Sequence, residues 1–381
     1  MGSLEDSFGA GFSQSEANEE DETPQRTFKG QTVKDFVKAA IKDGRLPRLT
    51  EHEKMINRSI NIHSFVTNLD KNVYVNVPML EESRLRLNAF SERDHTYIHA
   101  NVIQSGGMAY LATQMPMANT AYDFWRGVWQ CRTHVLVCLM SNTKTADQND
   151  LLCHQYWPMR VKKTQKYECR GARITIKCLE SRDDHFMPIE QNERKKLVKK
   201  AKKARAPEPK FDDNPSYIVY TLHLQLVVKC HSTVKVQSGE RTVNLVHYRR
   251  WPANGLPDTK SLLQMLVCVW HLQQPEPITT KENQKKPDKL KLSSGEMLIV
   301  HCDSGVRRTA TFIVIDMCCR SLERHKVFDM IRACCRIRKR RYGAMRQLSH
   351  FIFCYQAVIE YAARRKMDSL TVESPEYKQA Y

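Results

Sequence analysis

The segment that most constrains this chain is Glu296–Asp316. A short apolar run, Met297-Leu-Ile-Val300, enters His301-Cys-Asp-Ser-Gly-Val-Arg-Arg308 and leaves as Thr309-Ala-Thr-Phe-Ile-Val-Ile-Asp316. Apolar residues before a tight polar turn, with a second apolar run after it, predict strand, loop and helix in immediate succession. The N–H groups that open such a helix lack intrahelical partners and point into the loop, which makes it an anion site. Cys302 stands at that positive end, where a thiol is expected to ionise more readily and act as a nucleophile. Arg308, six residues on, can return to the same anion and grip two of its oxygens. Thr309 adds a hydroxyl beside the sulfur, and Gly305 suits a turn where backbone approaches a ligand closely. A core cysteine before a basic helix start would look alike at any one position. The whole pattern His-Cys-x-x-Gly-x-x-Arg-Thr arises by chance in well under roughly one chain in a thousand at ordinary residue frequencies. The chemical reading is preferred.

The rest of the chain sets bounds on that reading. Its 381 residues, 41% hydrophobic, suffice for one large domain or two small ones. Apolar runs such as Val135–Met140 and Met265–Trp270 fall well short of the roughly 18–20 residues that span a bilayer. No leader opens the chain, and Met1-Gly-Ser-Leu-Glu-Asp6 lacks the Ser or Thr of a myristoylation signal. A cytoplasmic protein without a transmembrane segment is expected, with peripheral membrane attachment left open. The 13 cysteines include no Cys-x-x-Cys pair, so the usual zinc and redox spacings are absent. Cys138, Cys268 and Cys354 sit in apolar runs, as small hydrophobes do.

Charge is unevenly spread. The net charge is +18, yet the first 25 residues hold seven acids and no Lys or Arg. Residues 1–26 therefore read as a disordered acidic tail, and the remainder carries a charge of about +25, suited to an acidic partner. A helix is predicted from near Thr32, with Thr32 and Asp35 as cap and first-turn acid and Gly44 beyond its end. Val135–Met140, Tyr217–Val228 and Met297–Val300 read as strands. Asn119–Gln130, Lys260–Gln273, Thr309–Arg324 and Gln347–Ala363 read as helices. The alternation predicts a single α/β domain over 27–366, followed by a C-terminal tail, 367–381. Two polar stretches interrupt it: Pro275–Ser294, and a basic insertion near 193–205 with eight Lys or Arg against one Glu. Leu197, Val198, Ala201 and Ala204 of the latter share a helix face, so a solvated basic helix is the plain reading. The sharper one is that Arg194–Arg205 binds anionic lipid, RNA or an acidic protein tail, the chain's own N-terminus included.

The loop resembles that of the phosphotyrosine-specific protein tyrosine phosphatases, and the likeness extends over residues 27–365. Lys71-Asn-Val-Tyr74 resembles the loop whose tyrosine stacks on the substrate ring. Asp94–Asn101, Thr113-Gln-Met-Pro116, Asp123-Phe-Trp125, Trp129 and Gln155-Tyr-Trp-Pro158 resemble further signatures of that family. His247-Tyr-Arg-Arg-Trp-Pro252 and Gly255-Leu-Pro257 bracket its mobile acid loop. The resemblance implies an α/β domain with a twisted mixed sheet flanked by helices, and chemistry through a cysteinyl-phosphate with no metal or cofactor. It also implies roles: Cys302 as nucleophile, Arg308 as phosphate grip, Thr309 as thiolate support and His301 beside them. Tyr74, Asn76, Asp303, Ser304, Gly305, Val306 and Arg307 would touch the substrate.

Departures from the family pattern gather at the pocket. Trp251-Pro252-Ala253 replaces Trp-Pro-Asp, so the residue that moves protons to and from the leaving oxygen is missing, a loss worth about 10²–10⁴ in rate. Asp258 follows five residues later, beyond Pro257. Arg346 and His350 stand where two glutamines are usual, one of them positioning water. Asn76 replaces an aspartate that grips substrate, and Asp147, Gln148 and Leu152 stand where charged partners are usual. Asp303 sets a negative charge beside the sulfur and an incoming dianion, with Arg307 as a partial offset. Three functions remain open on these grounds. The first is a pseudophosphatase that binds a tyrosine-phosphorylated protein or peptide with weak or no dephosphorylation. The second is a genuine but slow phosphatase, with His350 or Asp258 as a substitute acid. The third is a scaffold working through its basic surface.

Overall fold

Patterns of burial along the strands account for the architecture of the chain. In the computed structural model, residues 30–35, 60–89, 94–140, 154–169, 171–183, 195, 198–199, 203, 215–229, 236–252, 255–274 and 296–367 are described. The elements run β1 (Ala100–Ser105), β2 (Met108–Thr113), α1 (Ala121–Gln130), β3 (Val135–Cys138), β4 (Thr164–Cys169), β5 (Ala172–Asp183), β6 (Tyr217–Lys229) and β7 (Val236–Tyr248). Then come α2 (Thr259–Leu272), β8 (Met297–His301), α3 (Arg308–His325), α4 (Met330–Arg340) and α5 (Leu348–Arg364). β3 is buried at every position and β8 at all but its first, which is what a strand covered on both faces requires. In β6, by contrast, buried Leu222, Leu224, Leu226 and Val228 alternate with half-exposed neighbours, the mark of an antiparallel strand with one wetter face.

These strands form one mixed eight-stranded sheet in the order β1-β2-β8-β3-β7-β6-β5-β4. Its centre, β2-β8-β3-β7, is parallel, and antiparallel pairs extend it on both sides. Helices flank it: α1 lies on β4 and β5, α2 on β3 and β7, and α3 on β2 and β8. Trp125, Trp157, Trp251, Tyr110, Tyr156 and Phe312 anchor the core that results. One buried carboxylate ties three elements together. Asp316 of α3 accepts from Tyr110 Oη of β2 (2.6 Å), Trp270 Nε1 of α2 (2.5 Å) and Arg320 Nε (2.7 Å). A buried charge is tolerable only when its partners are all present, and removing one costs about 3–5 kcal/mol.

All seven expected strands and helices are present, with ends within two residues of the expectation. Cys138, Cys268 and Cys354 are buried. Met367, the last described residue, packs on the core. The N-terminal helix begins at Val33 as expected, with Thr32 Oγ1 accepting from the Asp35 N–H (3.0 Å), and its continuation lies outside the described residues. The acidic tail 1–26, Pro275–Ser294 and the tail beyond Met367 also lie outside them. Of the basic insertion, Lys195, Val198, Lys199 and Lys203 are helical. Among the described residues no helix is long and apolar enough to cross a membrane.

Three histidines lie buried at the C-terminal end of the parallel strands or beside it. His301 contacts Tyr156 Oη (2.6 Å), while His247 and His99 reach the carbonyls of Met140 (2.7 Å) and Val77 (2.9 Å). Burial lowers all three, His99 and His301 to about 3 and His247 to about 4, from 6.5. The folded state then binds fewer protons than the unfolded one below pH 6.5, so stability is lost as pH falls from there toward 4. At pH 5 each histidine removes about 2 kcal/mol. Urea midpoints should therefore drop steeply between pH 6.5 and 5, and less steeply in His247→Gln. A flat profile over that range would contradict the burial of neutral imidazoles.

Candidate active site

The parallel strands end together: Thr113 of β2 and Cys138 of β3 are each in register with His301 of β8, and Cys138 also with His247 of β7. Open α/β sheets place ligands beyond the carboxyl ends of such strands. Here the turn 302–307 occupies that place and feeds directly into α3. Neighbouring backbone holds it, Leu139 N donating to His301 O (2.9 Å) and Met115 N to Asp303 O (3.1 Å).

Gly305 shows why the loop tolerates so little change. Its φ is +69°, and a Cβ there would lie 2.3 Å from the Thr113 carbonyl oxygen and 2.8 Å from Arg341 Nη2. Arg341, fully buried, donates through Nε to Gly305 O (3.1 Å) and through Nη2 to Ser304 O (2.8 Å). The same guanidinium reaches Asn101 Oδ1 (2.8 Å) and His99 Nδ1 (3.0 Å). Burial lowers Arg341 to about 10, so it remains a cation at neutral pH, and His99 remains neutral and able to accept. Arg341 and His99 are positioning residues that the sequence reading passed over. Four arginines and a lysine crowd the six positions from Arg336 to Arg341, and only packing distinguishes the inward one.

Cys302, Asp303, Arg308 and Thr309 lie close together at the start of α3. Cys302 is fully buried, and its sulfur accepts from the Gly305 N–H (3.2 Å). The expected fall in its pKa does not occur. Burial pushes the thiol up, the Asp303 carboxylate adds to this, and Thr309 and Arg308 act downward without balancing them. Burial also works against the charge of Asp303, but Arg308, the Ser304 N–H (2.7 Å) and Arg307 hold its carboxyl below the usual range. A neutral thiol thus sits beside a carboxylate. Arg308 is buried, with Nη1 donating to Leu139 O (3.2 Å). His301 supports the strand end through Tyr156.

Tyr74 forms one side of the pocket, half-buried, its hydroxyl pushed up to about 12 by burial, Asp303 and Cys302. The loop carrying it is fixed by Gln114, whose Oε1 accepts from Val73 N (3.0 Å) and whose Nε2 donates to Lys71 O (2.7 Å). Val75 and Asn76 are exposed at the rim. Val306 and Arg346 border Gly343 from two sides, 3.5 and 3.7 Å from a Cβ built there. Arg346 stacks over Tyr342, 4.7 Å from the ring centre.

Asp258 and His350 both make structural contacts. Asp258 caps α2, its Oδ2 accepting from the Ser261 N–H (2.8 Å). His350 is buried against Trp251 (6.2 Å between ring centres, 12° apart), and burial with Arg307 and Arg308 lowers it to about 4. Thr311 gives its hydroxyl hydrogen to Arg307 O (2.9 Å), so it accepts from His350 Nδ1–H (3.0 Å), and that proton is held structurally. Ala253, Asp147, Gln148 and Leu152 lie outside the described residues. Among the described residues no group of three or more His, Cys, Asp or Glu is placed to hold a metal ion.

The raised thiol has a direct test. Alkylation of Cys302 by iodoacetamide, followed by peptide mass spectrometry, should accelerate only above pH 9, the ordinary value for a thiol. Asp303→Ser should move that midpoint down, since removing a carboxylate favours the thiolate. A wild-type midpoint below 7 would overturn the assignment.

The family model for protein-tyrosine phosphatases matches residues 68–360. The rat tyrosine-protein phosphatase non-receptor type 2 is 27% identical over 312 residues, covering 81% of this chain and 60% of that protein. The human non-receptor type 9 enzyme is 26% identical over 357 residues, covering 90% of this chain and 51% of its own length. The chain thus spans between half and about three fifths of these relatives. A crystal structure of the catalytic domain of human non-receptor type 18 covers 85% of this chain and 94% of its own, with a TM-score of 0.59 and 20% identity.

Proposed function

This chain belongs to the protein-tyrosine phosphatase family, and on that premise we propose that it binds phosphotyrosine in the loop His301–Arg308 while hydrolysing it slowly or not at all. The observation that carries the proposal is the Asp303 carboxylate lying beside the buried Cys302 sulfur, which pushes the thiol pKa up, in a loop that runs into the N-terminus of α3 and carries Arg308. Phosphate is gripped by the N–H groups of residues 303–308 and by the Arg308 guanidinium, with Tyr74 flanking the aromatic ring. Attack on phosphorus requires the thiolate, and departure of the tyrosine oxygen requires a proton. The carboxylate opposes the first, and Ala253 cannot supply the second. The ligand is a tyrosine-phosphorylated protein or peptide met in the cytoplasm. A slow phosphatase is the second reading, favoured by Thr309 and Arg308, which both act to lower the Cys302 pKa.

Phosphotyrosine peptide turnover is expected at least about a hundredfold below that of a family member with the acid in place. Calorimetry should show preference for the phosphorylated over the unphosphorylated peptide, removed by Arg308→Ala. Turnover within about tenfold of such a relative and abolished by Cys302→Ser favours the second reading. Equal affinity for both peptides removes the phosphotyrosine reading altogether.

Repair should be cooperative. Ala253→Asp restores a proton donor, which helps only once the sulfur is a thiolate, and Asp303→Ser favours the thiolate. Stopped-flow rates of the double variant should exceed the product of the two single gains, because both changes act on one reacting phosphate. A folded, phosphate-binding double variant as inert as wild type would show that more than these two groups is missing.

A further inference from the structure

We propose that the exposed face of α4 is a docking surface for the chain's own acidic N-terminal segment, with Glu19-Glu-Asp-Glu22 lying along Arg332, Arg336 and Arg340. These arginines recur at every fourth position, so they form one stripe down the helix, while Met330, Ala333, Cys334 and Ile337 turn into the core. Arg332 and Arg340 are exposed and Arg336 is half-buried. None of the three enters an ion pair among the described residues. Arg336 donates only to a neutral carbonyl, Gln104 O (3.1 Å). Like charges four residues apart repel, and the one carboxylate at the helix, the N-cap Asp329, sits before Arg332 and away from Arg336 and Arg340. The helix dipole explains cations in the last turn but not Arg332, which sits in the first turn where a positive charge is disfavoured. The stripe calls for an external anion.

The route of the chain identifies that anion. Gln31 bridges Phe328 in both directions, N to O at 2.8 Å and O to N at 3.0 Å. Phe328 immediately precedes Asp329, the N-cap of α4. The residues before Gln31 therefore set out from the start of the basic helix. They carry seven acids and no Lys or Arg within the first 25 positions, including the run Glu19–Glu22. Nine intervening steps reach at most about 30 Å, and α4 is about 16 Å long. Tethering at one end of the stripe gives the acidic run a high effective concentration along its length. The far end of α4 continues into Arg341, which holds the Ser304 and Gly305 carbonyls. The docked segment thus brings negative charge to the edge of the anion loop.

This inference does not rest on the phosphotyrosine reading, and neither of its tests uses phosphotyrosine. In the full chain carrying Arg332→Lys, Arg336→Lys and Arg340→Lys, which keeps the charge, a zero-length carbodiimide should link residues 19–22 to the introduced amines. Raising salt to 1 M, where the Debye length is about 3 Å, should suppress the links. Links only to lysines of 195–203, or none, would overturn the placement. The second measurement is a double-mutant cycle read by anisotropy of a labelled polyglutamate peptide. Neutralising Glu19, Glu20, Asp21 and Glu22 to their amides should tighten peptide binding about three- to tenfold when the α4 arginines are present. The gain should shrink below about 1.5-fold when Arg332, Arg336 and Arg340 are glutamine. Equal gains in both backgrounds mean a general charge effect, which also overturns the proposal.

Discussion

The contact between the Arg341 guanidinium and the carbonyls of Ser304 and Gly305 is the constraint on which the site depends. A loop that turns its N–H groups inward toward an anion must turn carbonyls outward, and buried carbonyls need donors. Arg341 supplies them from beneath, with a charge that also offsets the anion above. Its own burial is tolerable because Asn101 and His99 take two of its three remaining hydrogens. His99 can do so because burial keeps it neutral, with Nε2 reaching the Val77 carbonyl and Nδ1 left to accept. Gly305 completes the set, since a side chain there would collide with the Thr113 carbonyl and with Arg341 itself.

That frame accommodates charges at odds with phosphoryl chemistry. Asp303 is ionised because Arg308, Ser304 and Arg307 together outweigh its desolvation, and its negative charge in turn disfavours the thiolate. The two groups compete for one positive environment, and the carboxylate, with the lower intrinsic pKa, takes it. His350 illustrates a related effect. The position could hold a proton donor, but packing on Trp251 and proximity to two arginines leave a neutral ring tied to Thr311.

Much of this was legible in the sequence where one physical cause dominates. Val135–Cys138 and Met297–His301 are fully covered strands and therefore continuous apolar runs. Leu348–Arg364 carries a broad apolar face. What escaped notice has mixed causes. β7 reads as polar over Gln237–Asn244 because it spans both the parallel centre and the antiparallel wing. β1 and β2 are short, yet Gly106-Gly107, both at positive φ, was a usable hairpin signal between them. α4 has an apolar side of four residues hidden among basic ones. At the site, Cys302, Arg308, Thr309 and Tyr74 converge as the pattern implied. The direction of the Cys302 shift did not follow, because helix position and burial act in opposite directions and only the fold reveals the extent of burial.

Anion binding and bond breaking draw on different parts of this structure. On the reading proposed above, the grip on phosphate comes mostly from backbone N–H groups, whose direction is set by Gly305, Arg341 and the start of α3. One of them, the Ser304 N–H, is engaged by the Asp303 carboxylate (2.7 Å), so the side chain at 303 bears on the anion site as well as on the thiol. On the same reading, turnover depends on the side chains themselves, on a thiolate at 302 and a proton donor at 253.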